Sequence, residues 1–406
     1  MKRLVAYGLF LALMILFPAC QKEQAIPESK SGIQYYYHSG TEEVIDATFL
    51  RDGGMAFVGA GLGKGYIFVT DENGKERWKS YIGGNELDIF YSLIELMDGS
   101  FVALGATFSY SLDVTNDDPD AWMVKFSPSG KVIWQKTFGE DYREVFVAGM
   151  EDNNGDLVLV GYQSPSNRQS LLAKFTANGD LIYSKTFRVG PWHSTFEAIA
   201  QAPTGEYVIG GLNSQSTLSS QVGNHVTNML LVNPDSGQVL MTRIFQDYVR
   251  SNYLGARVKV DVSITGNEVT LASFFEEPIA KSRIQIIRAN MDGTLIFEKK
   301  FSGEGEVYFN NLERSNDGGY ILCGQTTAVQ NSQGAVDVLG AVIKLSPDCE
   351  EEWSSAFGVP DINLSVWSVK QTLSGYRVIG QSSNNKRPLR QMMAYRLNNK
   401  GEIVYE

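Results

Sequence analysis

The segment Asp120–Gly139, DAWMVKFSPSGKVIWQKTFG, recurs along the chain, and no other feature limits the possible folds as sharply. It reads as an apolar strand, a tight Ser-Pro-Ser-Gly turn, a second strand carrying Trp134 and a closing Phe-Gly. Related segments are GYIFVTDENGKERWKSYIGG at 65–84, SLLAKFTANGDLIYSKTFRV at 170–189, IQIIRANMDGTLIFEKKFSG at 284–303 and AVIKLSPDCEEEWSSAFG at 341–358. A degraded copy lies at 228–245 and a truncated one, MMAYRLNNKGEIVYE, at 392–406. Copies spaced by about fifty residues specify a repeat architecture, in which each unit buries its apolar face only against its neighbours.

Each unit has a second hairpin ahead of this one, for example FYSLIELMDGSFVALGA (90–106), VFVAGMEDNNGDLVLVGY (145–162) and FNNLERSNDGGYILCGQ (309–325). The Asp-Gly and Asn-Gly pairs supply the positive φ angles of a tight hairpin. Four short antiparallel strands, a to d, with tight a–b and c–d turns predict an all-β chain folded as a seven-bladed β-propeller. The blades fall at about 42–84, 85–139, 140–190, 191–245, 246–302, 303–358 and 359–406. A β-solenoid is the other repeat architecture, but its coils are shorter. GIQYYYHSGTEEV (32–44) aligns with KVIWQKTFGEDYREV (131–145), setting Tyr35 against Trp134. The segment before blade one should therefore serve as an outer strand of the last blade. Gly401–Glu406 competes for that place, and the sequence leaves the choice open. Trp78, Trp134 and Trp353 share one position of strand d. Packing between blades is favoured there over a binding stripe, because Tyr and Phe substitute and the role repeats.

Ahead of the repeats, Lys2 and Arg3 precede an apolar run, Leu4–Phe17, that is short for a membrane span. The run ends in Leu16-Phe17-Pro18-Ala19-Cys20, which resembles the lipobox of bacterial lipoproteins although Pro18 departs from the common form. The resemblance implies that Cys20 becomes the lipidated first residue of the mature chain. A simple secretory signal with a chance cysteine is the alternative. The expected organisation is a signal peptide at 1–19, lipidated cysteine and flexible tether at 20–32, and propeller at 33–406. This places the protein on the bacterial outer membrane, held by its lipid and facing the periplasm or the cell surface.

The Asp-Gly-Gly turn at 317–319, the Asp-Ala-Trp-Met-Val-Lys strand at 120–125 and the Ile-Trp-Gln-Lys-Thr-Phe-Gly ending at 133–139 resemble secreted propeller repeats common in Bacteroidota. Those proteins include quinoprotein-like chains and lipoproteins. The resemblance implies the fold and says little of function, since propellers host unrelated activities. Blades of quinone-dependent dehydrogenases share the strand–turn–Trp pattern, but their calcium and quinone ligands do not map onto this chain.

The 46 acidic residues outnumber 35 Lys and Arg, a balance that argues against nucleic acid as a partner. Three cysteines make no disulfide framework, and Cys323 and Cys349 are expected to be free thiols. With two turns of each blade short, the variable loops fall on one face, where function concentrates. Its d–a links carry Tyr142, Arg143, Trp192, His193, Tyr248 and Arg250 as the expected binding residues. Glu43, Asp88 and Glu144 stand just before strand a and could hold a cation or polar ligand at the channel mouth; a solvated polar rim is the plainer reading. The loop DVTNDDPD offers Asp113, Asp117, Asp118 and Asp120 as weak calcium ligands, calcium being the only cofactor suggested. No Ser-His-Asp ordering is legible. The resulting expectation is a non-catalytic binding or scaffold module with an envelope protein or glycan as partner. The alternative is a hydrolase or lyase with its active site on the long-loop face, which acids converging with His193 in one pocket would favour.

Overall fold

The computed structural model describes residues 33–36, 42–112, 118–139, 142–165, 168–189, 193–215, 222–245, 249–252, 260–277, 281–302, 307–330, 336–358, 362–384 and 387–404. Every regular element among them is a β-strand, and the strands form seven antiparallel sheets. Blade one is Glu43–Phe49, Met55–Gly61, Lys64–Thr70 and Glu76–Ile82, in the order a to d. Blade two is Asp88–Glu95, Phe101–Thr107, Asp120–Phe126 and Val132–Phe138. Blade three is Arg143–Glu151, Leu157–Ser164, Gln169–Phe175 and Leu181–Phe187. Blade four is His193–Gln201, Tyr207–Gln215, Val222–Val232 and Val239–Ile244. Blade five is Val260–Thr265, Glu268–Glu277, Lys281–Asn290 and Leu295–Ser302. Blade six is Val307–Arg314, Tyr320–Gln330, Val336–Leu345 and Glu351–Phe357. Blade seven has Ile362–Thr372, Gly375–Asn384 and Arg387–Leu397, and Ile33–Tyr36 pairs with the last of these. The seven-bladed propeller expected from the repeats is the fold observed.

Strands b and c are buried along nearly their whole length, as in VALGA and AWMVKF of blade two, whereas strand d alternates between half-buried and exposed. This is the pattern of sheets stacked face to face with one edge in water. The core is correspondingly divided into one apolar cluster per blade interface. Phe90, Trp122 and Phe126 join blade two to blade one; Phe146 and Phe175 belong to the interface of blades two and three. Tyr36, from the N-terminal strand, packs with Phe57 and Phe68 of blade one and Trp367 of blade seven. Burial of each such side chain contributes about 1.5–3 kcal/mol relative to exposure.

The recurring aromatic of strand d packs between blades. A side chain on Gly130, in the c–d turn of blade two, would strike the Trp78 ring of blade one. Gly179 meets Trp134, Gly237 meets Tyr183 and Gly401 meets Trp353 in the same way. Trp78 also donates its indole N–H to the Pro128 carbonyl at 2.9 Å. In blade six the turn residue is Cys349, which adopts φ 57° and is buried beside Phe297 of blade five. It is one of two free thiols in the described residues; Cys323 is the other.

Ring closure uses both termini. Tyr35 lies opposite Met393, while Ile403 bridges Leu397 and Val404 donates to the Arg396 carbonyl. In blade two Trp134 lies opposite Lys125, one residue before the strand c end, and Arg396 holds the matching place in blade seven. The C-terminal segment therefore occupies the Trp134 position and Tyr35 sits further along the strand, a correction of the expected alignment. A second difference is Val249–Asn252, assigned from sequence to blade five. It pairs with Val222–His225, the overhanging half of blade four's long strand c, whose backbone groups would otherwise lack partners.

Candidate active site

The turn face and the loop face are built by different rules. On the turn face, a cation late in strand c meets an acid of the a–b turn in blades two, three and six. Lys125 faces Asp98 at 3.9 Å, Lys174 faces Asp152 at 2.9 Å and Asp156 at 3.2 Å, and Lys344 faces Asp317 at 2.8 Å and Glu352 at 2.9 Å. Asp152 also accepts from the Tyr207 hydroxyl of the next blade at 2.6 Å. Burial alone would raise the Asp152 carboxyl, but the bonds from Tyr207, Lys174 and two turn amides outweigh it and hold the pKa down. A charge arrangement that recurs at one position of three blades is structural.

On the loop face nothing repeats in that way, beginning with strand a. A β-bulge interrupts it in six blades, between Val44/Asp46, Phe90/Ser92, Phe146/Ala148, Phe196/Ala198, Phe309/Asn311 and Val366/Ser368. Counting back from the bulge, the equivalents of Asp88 and Glu144 are Glu42 and Ser194. Glu43 stands one residue off that row; it is exposed and pairs with Arg390 at 2.9 Å. Glu42, Asp88 and Glu144 are all buried. Asp88 accepts from the Thr107 hydroxyl, the Ser109 hydroxyl at 2.7 Å and the Gly84 amide at 2.9 Å, and Glu42 accepts from the Tyr81 hydroxyl. These two carboxylates fasten links and loops within their own blade interface.

Asp120 is likewise occupied, accepting from the Leu112 amide at 2.7 Å and the Ser111 hydroxyl at 3.3 Å. Asp118 is half-buried, and Asp113 and Asp117 lie outside the described residues. Among the described residues no group of three His, Cys, Asp or Glu side chains is placed to hold a metal ion. Trp192 and Tyr248 also lie outside them, and Arg250 is described by its backbone alone, opposite Asn224 in the added strand. Tyr142 is exposed.

Arg143 and His193 are the sequence-chosen residues that the fold brings into company. Arg143 donates a hydrogen bond to the Tyr91 hydroxyl; burial raises the Tyr91 phenol above its ordinary value, Tyr162 adds to the rise and Arg143 opposes it. Arg168 lies over the Tyr162 ring at 4.1 Å from its centroid. The Arg168 backbone N–H donates to His193 Nδ1 at 2.9 Å, which leaves the proton of a neutral His193 on Nε2. The Arg168 carbonyl in turn accepts from the Ser194 amide at 3.1 Å, so the loop before strand c of blade three is clamped onto blade four. Tyr162, Arg168 and His193 thus form one compact group, flanked by Tyr91 and Arg143.

The row continues across blade four, where His193 pairs with Ser214 and Ser214 with His225. Residues directly opposite one another project from the same face of a sheet. His225 is 4% exposed, its Nε2 has no hydrogen-bond partner, and burial lowers its pKa to about 4. The imidazole is therefore neutral at physiological pH.

Sequence reasoning missed Tyr91, Tyr162, Arg168 and His225 because it looked only at the links. A signal was present: Tyr91 is the bulge residue of its strand, and that position reads Ile45, Tyr91, Val147, Glu197, Asn310 and Trp367 around the ring, with no repeat. Elsewhere on the same face a cavity of about 270 Å³ lies where blades six, seven and one meet, and Glu43 and Arg390 are among its walls.

No family model and no curated protein matches this sequence. Solved structures do match in fold. The polysaccharide lyase Uly1 aligns over 93% of this chain and 94% of its own, with TM-score 0.53 and 10% identity. An α-L-arabinofuranosidase from Fusarium graminearum aligns over 76% and 94%, with TM-score 0.46 and 11% identity. A Dyadobacter fermentans protein of unknown function aligns over 75% and 93%, with TM-score 0.46 and 10% identity. At these identities the likeness is one of fold. Of these, the match above TM-score 0.5, Uly1, is named for an enzyme, which speaks for the hydrolase or lyase alternative rather than the expected non-catalytic binding or scaffold module.

Proposed function

We propose that this protein is a polysaccharide lyase whose active site is the Tyr162–Arg168–His193 group on the loop face of the propeller. The observation that carries the reading is the grouping itself: a guanidinium, a phenol and an imidazole of fixed tautomer held together by one loop. The full-length fold match to a protein described as a polysaccharide lyase supports it.

Eliminative cleavage of a uronate-containing chain needs three things: neutralisation of the carboxylate beside the acidic C–H, a base for that proton, and an acid for the leaving glycosidic oxygen. Arg168, with Arg143 beside it, supplies the positive charge. The Tyr162 phenolate oxygen takes the α proton, the C–H electron pair becomes the new C=C bond, the C–O bond to the leaving sugar breaks, and the same proton passes from the Tyr162 hydroxyl to the leaving oxygen. His193, whose proton sits on Nε2, donates a hydrogen bond from it to the substrate carboxylate. No water is consumed.

We further propose that the enzyme is anchored in the bacterial envelope by lipid on Cys20, a reading supported by the Leu16–Cys20 motif. Three acyl chains would hold it permanently. Labelling with a fatty-acid analogue should mark the wild type and not Cys20→Ser.

The activity is tested by incubating the protein with uronate-containing polysaccharides and following the ultraviolet absorbance of the new conjugated double bond. Absorbance should rise with the wild type, and Tyr162→Phe, Arg168→Met and His193→Gln should each lower the rate by roughly 100-fold or more while remaining folded. New reducing ends without absorbance would replace elimination by hydrolysis. Neither signal on any such polysaccharide would defeat the enzyme reading.

A further inference from the structure

The cavity between blades six, seven and one belongs neither to the turn-face ion pairs nor to the proposed catalytic group, and we infer that it is a binding site for one neutral sugar unit. At about 270 Å³ it is slightly smaller than pockets for drug-sized ligands, about 300–1,000 Å³, and suits a single pyranose ring. Its position on the loop face follows from its walls, which come from the start of strand a (Asn363, Ser365), the end of strand b (Gln325, Gln381) and the start of strand c (Arg390).

The wall chemistry is that of a polyol receptor. Amide and hydroxyl side chains dominate, and the protein orients them before a ligand arrives. Gln325 accepts from the Ser365 hydroxyl, Asn363 accepts from the Val338 amide at 3.0 Å, and Gln381 donates to the Glu42 carbonyl at 2.9 Å. Pre-oriented groups lose little freedom on binding, which favours affinity for a small ligand. Leu364 and Trp367, both buried, line the same space and form its apolar part.

Charge decides between neutral and acidic sugars. The one cation among the described wall residues, Arg390, is paired with Glu43 at 2.9 Å, so those described walls carry no net charge. A carboxylated sugar would have to displace Glu43, whereas a neutral sugar can hydrogen-bond to the pair as it stands. The site therefore differs in charge from the arginine-rich group of blades three and four, and it would hold a neutral residue of a mixed polymer. This inference does not depend on the proposed reaction, because binding of a free monosaccharide can be measured without turnover.

The test is titration of the full chain with D-glucose, D-galactose, L-rhamnose and D-glucuronate separately, read by ligand-observed NMR and calorimetry. At least one neutral sugar should bind saturably in the millimolar range, roughly 1 mM corresponding to about 4 kcal/mol. Ser383→Trp, which places a ring in the cavity, should weaken that binding at least tenfold, and Gln325→Leu should weaken it without filling the space. His193→Gln should leave it unchanged, which separates failure here from failure of the lyase reading. No saturable binding of any neutral sugar, equal binding by Ser383→Trp, or preference for glucuronate would overturn the inference.

Discussion

The turn face and the loop face of the same seven blades use their polar groups differently. On the turn face Lys125, Lys174 and Lys344 each meet the acid of their own a–b turn, in blades two, three and six. On the loop face Tyr91, Arg143, Tyr162, Arg168, His193 and His225 occur once each, and Asn363, Ser365 and Gln381 line a cavity where blades six, seven and one meet. In a repeat protein, a charged residue that recurs at one position of several units answers a need those units share, which is to hold their hairpins and their neighbours. A charged residue present in one unit answers a need of the whole ring. Periodicity itself separates structure from function here.

The largest effect that would sharpen this contrast is on stability. Lys174→Met leaves Asp152, whose side chain is fully buried, without its cation. Breaking such a pair costs about 3–5 kcal/mol, and denaturant unfolding should show a loss of that order. Arg168→Met on the loop face should change stability by less than about 1 kcal/mol, since its guanidinium is partly exposed. Equal losses from both would erase the distinction.

A somewhat smaller effect is expected at the blade seams. Gly130 has φ 82° and its added Cβ would meet the Trp78 ring, so Gly130→Ala should cost roughly 1–3 kcal/mol. Gly63, in the tight b–c turn of blade one on the loop face, also has positive φ, but nothing lies within 4 Å of its added Cβ. Gly63→Ala should therefore cost less than Gly130→Ala, and the reverse order in thermal melts would show that the strand d aromatics do not lock the blades.

A further contrast is in pH dependence, where the two faces titrate in different windows. His225 has its folded pKa lowered to about 4 by burial, so its contribution is complete above the unfolded value near 6.5 and is lost as pH falls toward 4. For Asp317, burial acts to raise the pKa, but bonds from Lys344, Ser315 and Gly319 prevail and hold it at about 2. Its contribution is present above about 4 and is lost as pH falls toward 2. Stability measured against pH should therefore decline in two stages, and His225→Leu should remove the first alone. An unchanged slope between pH 6.5 and 4 in that variant would contradict the assignment.

The fold was legible because its signals are local and repeated: an Asp-Gly turn, a strand c ending in Lys or Arg, and an aromatic three to five residues past the next turn. What the sequence hid is set by non-local pairing. Glu43 was preferred to Glu42 because the bulge that fixes the register of strand a follows both residues and leaves no local mark. Tyr35 was aligned with Trp134 although Val404 reaches that position from the other end of the chain. His193 was singled out from its link, but Tyr162 and Arg168 end and begin strands of the preceding blade, and only the clamp of that loop onto blade four unites them. The neutral cavity was invisible for the same reason, since its walls come from blades six, seven and one.

The account rests most heavily on the claim that the unrepeated loop-face group does chemistry while the repeated turn-face charges hold the fold. Activity on a uronate-containing polysaccharide and melting temperature should be measured together for Tyr162→Phe and Lys174→Met. Tyr162→Phe is predicted to lose roughly 100-fold or more in kcat/KM with its melting temperature nearly unchanged. Lys174→Met is predicted to melt well below the wild type yet keep its rate at temperatures where it remains folded. Full activity in Tyr162→Phe, or loss of activity in folded Lys174→Met, would contradict that claim.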